Sequence, residues 1–209
     1  PWQSERMSDT HVLDPAIAAV ASLIPFTELN AEILAALRPA VAPAPAPSDI
    51  VDRTEHVVPG DPEVPLRVHR AKDATDGARP CIYSIHGGGY VIGSNTMDDP
   101  QFEGWCPSLG VVGVSVDYRL APETPYPGPL DDCYRGLVWT HEHADELGID
   151  PNRIGIMGVS AGGGLAAALA LLARERGEIP IAFQLLDQPM LDDRQATPSS
   201  RQDDLAVWS

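Results

Sequence analysis

Basic residues are scarce in this chain of 209: 14 lysines and arginines face 30 aspartates and glutamates, a formal net charge of −16. No run of lysines or arginines offsets this, so a polyanion meets repulsion, and neither nucleic acid nor an anionic membrane surface is an expected partner. Cysteine is equally sparse. Cys81, Cys106 and Cys133 form neither a C-x-x-C pair nor an even framework, which points to reduced thiols in a cytoplasmic protein rather than to disulfides or zinc. No apolar run approaches the roughly 18 residues of a membrane span, and the start, PWQSERMSDT, has no basic-then-apolar signal, so no membrane insertion is expected. Met7 reads as a natural start, with Pro1 to Arg6 as a tag remnant. Histidine is missing from the end of the chain: all six, at 11, 56, 69, 86, 141 and 143, precede Ser160.

What is present reads as one medium domain behind a helical arm. DPAIAAVASLI from Asp14 and LNAEILAALRPAV from Leu29 have helical apolar spacing, and the prolines of APAPAPSD, Ala42 to Asp49, make an extended connector. Residues 1–49 are thus expected to hold the tag remnant, two cap helices and the connector, with 50–209 as the body. In the body, strands are expected at RTEHVVP, PLRVHRA, CIYSI, VVGVSVDYR, RIGIMG and IAFQLLDQP. One short helix is expected between Asp98 and Leu109, a longer one from Leu130 closed by Gly148, and a buried one over AGGGLAAALALLARERG that stops at Gly177. Strands alternating with helices imply an α/β fold, a mostly parallel sheet with helices on both faces.

Two motifs carry chemistry. Gly158-Val159-Ser160-Ala161-Gly162 fits G-x-S-x-G at a strand-to-helix junction, where flanking glycines let the chain turn sharply and hold the serine oxygen out. The amides that open the next helix favour negative charge beside it. Gly162, Gly164 and Ala167 also satisfy G-x-G-x-x-A, but they fall inside the helix rather than in the turn a dinucleotide needs, and the G-K-[ST] of a phosphate loop is missing. His86-Gly87-Gly88-Gly89-Tyr90 follows the strand CIYSI. Its three glycines let backbone N–H groups approach a substrate oxygen unobstructed, as an oxyanion hole demands.

HGGGY, DYRLAPETPYP (Asp117 to Pro127) and GVSAGGG together resemble the hormone-sensitive-lipase family of α/β-hydrolase esterases from about Arg53 onward. The resemblance implies that fold, with the N-terminal helices as its cap. It makes Ser160 the nucleophile, the N–H groups of Gly88, Gly89 and Ala161 the oxyanion hole, and His86, Gly87 and Tyr90 its supporting loop. Asp117 and Arg119 become turn-forming residues below the site. It implies carboxylesterase-type hydrolysis of short- to medium-chain acyl esters through an acyl-enzyme, with no cofactor and no metal. Val159 departs from the pattern, since many relatives have an acidic residue there. Ile17, Ile24, Phe26, Leu29, Ile33 and Leu37 would line the pocket or pack the cap.

The family's chain order is serine, acid, histidine. Seven carboxylates follow Ser160, at 175, 178, 187, 192, 193, 203 and 204, but no base does. His141 and His143, two apart on a helix, are expected to face water, and His86 to shape its loop. The expectation is that the C-terminal part of the fold is absent, that the triad acid and histidine lie beyond Ser209, and that a second polypeptide or another copy completes the sheet beside IAFQLL. The rivals are a non-catalytic ligand-binding module and an inactive truncated fragment.

Overall fold

A computed structural model describes residues 30–38, 46, 48–73, 77–194 and 196. The chain divides into a unit spanning Ala31–Gln195, which holds every element named below, and a second unit of Pro1–Asn30 with Ala196–Ser209. The helix expected from Asp14, and with it Ile17, Ile24, Phe26 and Leu29, lies outside the described residues. So do Pro1 to Arg6, Met7 and His11.

Helix α1 spans Ala31–Leu37, shorter than the apolar spacing suggested, and its buried residue is Leu34. Of the two residues singled out there, Ile33 is half-buried and Leu37 is exposed. Six strands follow, among the described residues: β1 Val51–Val58, β2 Val64–Ala71, β3 Arg79–Ile85, β4 Val112–Val116, β5 Ile149–Val159 and β6 Gln184–Asp187. They form one sheet in the order β1-β2-β4-β3-β5-β6. The β1–β2 and β2–β4 pairs are antiparallel, and the other three are parallel. The mostly parallel sheet of an α/β fold is therefore present.

Helices cover both faces. Cys81, Tyr83 and Ile85 of β3 join Ile154 and Ile156 of β5 in a core capped by α3 (Gly128–Glu142) and α5 (Ala161–Arg176). Ile82 and Met157 turn the other way, into a smaller core with Phe102 and Cys106 of α2 (Asp99–Leu109). Burial on both sides is why CIYSI reads as a continuous apolar run rather than an alternating one. A cluster of charges pins α2 to the antiparallel edge. Asp99, fully buried, pairs with Arg53 and Arg67 and accepts from His69 Nε2 at 3.0 Å.

Five local expectations need correction. The helix from Leu130 breaks at His143, where the chain takes φ −101° and ψ 17°, and resumes as α4, Ala144–Leu147. The cause is local: the His143 ring stacks on Trp139 at 4.2 Å, and both its Nδ1 and its backbone N–H donate to the Trp139 carbonyl. His143 is therefore half-buried rather than water-facing, as is His141. Helix α5 is not buried all round, since Leu171 is 56% exposed on its outer side. The strand VVGVSVDYR ends at Val116, because Arg119 is drawn by its N–H towards Asp132. Finally, β6 is short, with Phe183 and Leu185 each 46% exposed.

Candidate active site

Ser160 sits between β5 and α5 with φ 55°, a left-handed conformation rare for a residue with a side chain. The glycines around it make that turn possible. A Cβ on Gly158 would collide with the Gly162 carbonyl, and one on Gly162 would collide with the carbonyls of Ile85 and His86. Strained backbone persists only where its surroundings hold it. Here the Ser160 N–H donates to the Asp187 carbonyl at 2.8 Å, while the Ser160 carbonyl accepts from Met190 at 3.0 Å and Gly164 at 3.1 Å. The end of β6 thus braces the turn from the side. Ser160 itself is part-exposed. Ala161 opens α5, so its N–H is among the helix's first four and has no partner within the helix.

The glycine-rich loop lies directly against this turn. A Cβ at Gly87 would be 3.0 Å from the Val159 carbonyl oxygen and 3.6 Å from Ser160 Cβ. Gly88, Gly89 and Tyr90 follow with φ of 112°, 59° and 67°, three successive left-handed residues. A peptide plane points its C=O and N–H in opposite directions. The Gly87 carbonyl accepts from His86 Nδ1 at 2.8 Å, so the Gly88 N–H of that plane is aimed away. The Gly88 carbonyl accepts from Val91 at 3.1 Å and Ile92 at 3.0 Å, which aims the Gly89 N–H in the same manner.

His86 is buried, stacked on Tyr118 at 4.2 Å, and the Tyr118 hydroxyl donates to its carbonyl. Its donation to Gly87 sets the Nδ1–H tautomer. Burial pushes its pKa down to about 4, with the Gly87 bond pulling weakly the other way, so the ring is neutral at pH 7. The other described histidine bonds also lead elsewhere: His56 to Thr54, His69 to Asp99 and His143 to Trp139. Beneath the loop, buried Asp132 receives the Arg119 N–H at 3.0 Å, Nε at 2.7 Å and Nη2 at 2.9 Å. Asp117 accepts from the Asn95 N–H at 3.3 Å, and burial raises its pKa. Beside Tyr90 and the first turns of α5 lies a mostly apolar cavity of about 320 Å³, lined by Ala121, Thr124, Leu130, Gly164 and Leu165 among others. Gly162, Gly164 and Ala167 all lie inside α5, where no dinucleotide turn could use them. Sequence reasoning missed the bracing by Asp187 and Met190, which act through backbone atoms that leave no motif, and the part of Tyr118, which the DYRLAPETPYP segment contains but does not single out.

The described residues hold no group of three or more histidine, cysteine, aspartate or glutamate side chains fit for a metal ion, and no helix among them is long and apolar enough to cross a membrane.

Comparison with known proteins fits this geometry. Residues 82–208 match a family model described as the alpha/beta hydrolase fold. Carboxylesterase NlhH of Mycobacterium tuberculosis is 36% identical over 182 residues, 85% of this chain and 57% of that protein. Mouse hormone-sensitive lipase is 39% identical over 100 residues, 48% of this chain and 13% of the lipase. The solved structure of a bacterial heroin esterase superposes with a TM-score of 0.79 at 44% identity, covering 91% of this chain and 62% of that one. The chain thus spans somewhat over half the length of the carboxylesterases it resembles. It belongs to the alpha/beta hydrolase family that includes these esterases and hormone-sensitive lipase.

Proposed function

We propose that this chain carries the nucleophile and oxyanion hole of a carboxylesterase acting on short- to medium-chain acyl esters. Ser160 attacks the ester carbonyl, the N–H groups of Gly88, Gly89 and Ala161 receive the negative oxygen, the alcohol leaves as the C–O bond breaks, and water then hydrolyses the acyl-enzyme to free the acid and restore the serine. His86, Gly87 and Tyr90 keep the loop in shape. The observation that carries the reading is the closeness of loop and turn, with room for no more than a Cβ between Gly87 and the Val159–Ser160 turn and the helix start beside it. The cavity next to Tyr90 supports a small acyl group, since about 320 Å³ lies at the low end of ligand sites. No cofactor or metal enters this chemistry.

A serine hydroxyl without a base is a poor nucleophile, and His86 is neutral but bonded to its own loop. The base and its acid therefore come from outside these 209 residues, from further sequence, a second polypeptide or another copy. Half-exposed Phe183 and Leu185 at β6 support a sheet completed on that edge. The three cysteines, free and buried, support a reducing, cytoplasmic setting, and a small-molecule ester is the substrate the site calls for.

The engagement of His56, His69, His86 and His143 elsewhere favours a second reading, a binding module or inactive fragment that keeps the hydrolase fold. Turnover of a p-nitrophenyl short-chain ester, fluorophosphonate labelling and a Ser160→Ala control separate these. Turnover and labelling that vanish in the control support the esterase. Binding with neither supports the module, and no binding supports the fragment. Intact mass identifies any second polypeptide.

A further inference from the structure

Three successive left-handed residues leave the glycine loop dependent on contacts from outside it. The peptide planes show where those contacts act. The Gly89 N–H is aimed by its plane-mate, the Gly88 carbonyl, which is held by the N–H groups of Val91 and Ile92. Each of those donors has a plane-mate of its own. The Tyr90 carbonyl, paired with the Val91 N–H, accepts from Ala121 at 2.9 Å. The Val91 carbonyl, paired with the Ile92 N–H, accepts from Arg38 Nε at 2.9 Å. The same guanidinium gives Nη2 to the Ala121 carbonyl at 2.8 Å, and its two terminal nitrogens grip Glu123 at 2.8 Å each. One side chain at the end of α1 thus holds the Val91–Ile92 plane directly and also grips the carbonyl of Ala121, the residue whose N–H supports the Tyr90–Val91 plane.

We infer that Arg38 is a positioning residue that aims the Gly89 N–H through the Val91 carbonyl, with its bond to the Ala121 carbonyl as a secondary support, which rests on reading Gly89 as an oxyanion donor. The planar fork is what the geometry uses. Three of its nitrogens meet three separate groups, and a lysine ammonium, a single point on a flexible stem, cannot reproduce that set. Leu34, one turn earlier on the same helix, is buried.

The test compares wild type with Arg38→Ala, Arg38→Lys and Glu123→Gln, by amide hydrogen exchange at residues 88–92, the amide NMR shift of Gly89, and kcat and KM for a p-nitrophenyl short-chain ester. Expected is a rise of about tenfold or more in exchange at Val91 and Ile92 and a shifted Gly89 resonance in both Arg38 variants. Glu123→Gln keeps the carbonyl bonds and should stay close to wild type. Where turnover is present, kcat should fall about tenfold in the Arg38 variants with KM within about twofold, short of the 10²–10³ reported for deleting a donor outright. Unchanged exchange and an unmoved Gly89 resonance in Arg38→Ala overturn the inference. So does a Lys variant that matches wild type, which would leave only a charge pair with Glu123, or lost protection with kcat intact. Turnover that survives Ser160→Ala overturns the oxyanion reading instead, and the exchange and shift measurements still decide whether Arg38 aims the loop.

Discussion

Two buried titratable groups flank the glycine loop's strand, and they should pull stability in opposite directions as pH falls. His86 has its pKa lowered from 6.5 to about 4, chiefly by burial. In the folded protein it stays neutral between those values while the unfolded chain takes up a proton, so its contribution is present above 6.5 and lost as pH falls towards 4. At about 1.4 kcal/mol per pH unit, going from pH 7 to 4.5 removes about 2–3 kcal/mol. Asp98 is the reverse case. Burial raises it from 3.8 to about 6, opposed by the hydroxyls of Ser84 and Ser115 that face it. Its Oδ2 and both serine oxygens lack a bond of ordinary geometry among the described residues, so little favours the charged form. The folded state takes up this proton first, and the same pH drop adds about 2 kcal/mol.

In the wild type the two effects nearly cancel, and each variant should expose the other. Urea unfolding at pH 7 and 4.5, with the m value checked for constancy, should show His86→Asn gaining about 2 kcal/mol on acidification relative to the other titrating groups. Asp98→Asn should lose about 2–3 kcal/mol by the same comparison, whatever either substitution does to stability at pH 7. The quantity to read is the difference between pH values, because the lost stacking on Tyr118 or a changed contact at Asp98 shifts both ends alike. If both variants keep the wild-type pH dependence to within about 1 kcal/mol, neither group is held in its neutral form by burial.

The remaining expectations concern the turn and its supports. Gly162→Ala drives a Cβ into two backbone carbonyls that cannot swing aside, so urea unfolding should show a loss of about 2 kcal/mol or more, with Ser160 no longer labelled by fluorophosphonate. Gly87→Ala meets only a 3.0 Å contact with the Val159 carbonyl. Its stability should change by less than about 1 kcal/mol while ester turnover falls about tenfold, and equal turnover would mean the loop does not serve the reaction. Asp132→Asn removes the buried charge that receives three Arg119 donors. Because the Arg119 side chain is 37% exposed, solvent trims the usual penalty for a broken buried pair, and a loss of about 2 kcal/mol is expected by denaturant titration.

What the sequence discloses and what it hides divide along physical lines. The turn at Ser160 was legible because its steric demand can be met by only one residue type: only glycine fits where a Cβ would strike the Gly162, Ile85 or His86 carbonyls, so the demand is written as G-x-S-x-G. The alternation of strands and helices was legible as well, since burial on both faces leaves β3 and β4 as apolar runs. Ser84 and Ser115 sit in those runs as register partners, yet nothing in CIYSI or VVGVSV tells that they meet a carboxyl from the turn before α2. The break at His143 hid behind good helical spacing, because stacking on Trp139 outweighs propensity that differs by only tenths of a kcal/mol between neighbours. The bracing of Ser160 by Asp187 and Met190 uses main-chain atoms alone, which any residue could supply. Arg38 is the instructive case. A lone arginine at the end of a short helix has the composition of a solvated surface, and only the fold brings its fork to two carbonyls and a carboxylate at once. Shape requirements that a single residue type can meet leave motifs, whereas aim imposed across the fold by hydrogen bonds to backbone does not. The part of an oxyanion hole that sets its direction is therefore the part that a motif is least able to report.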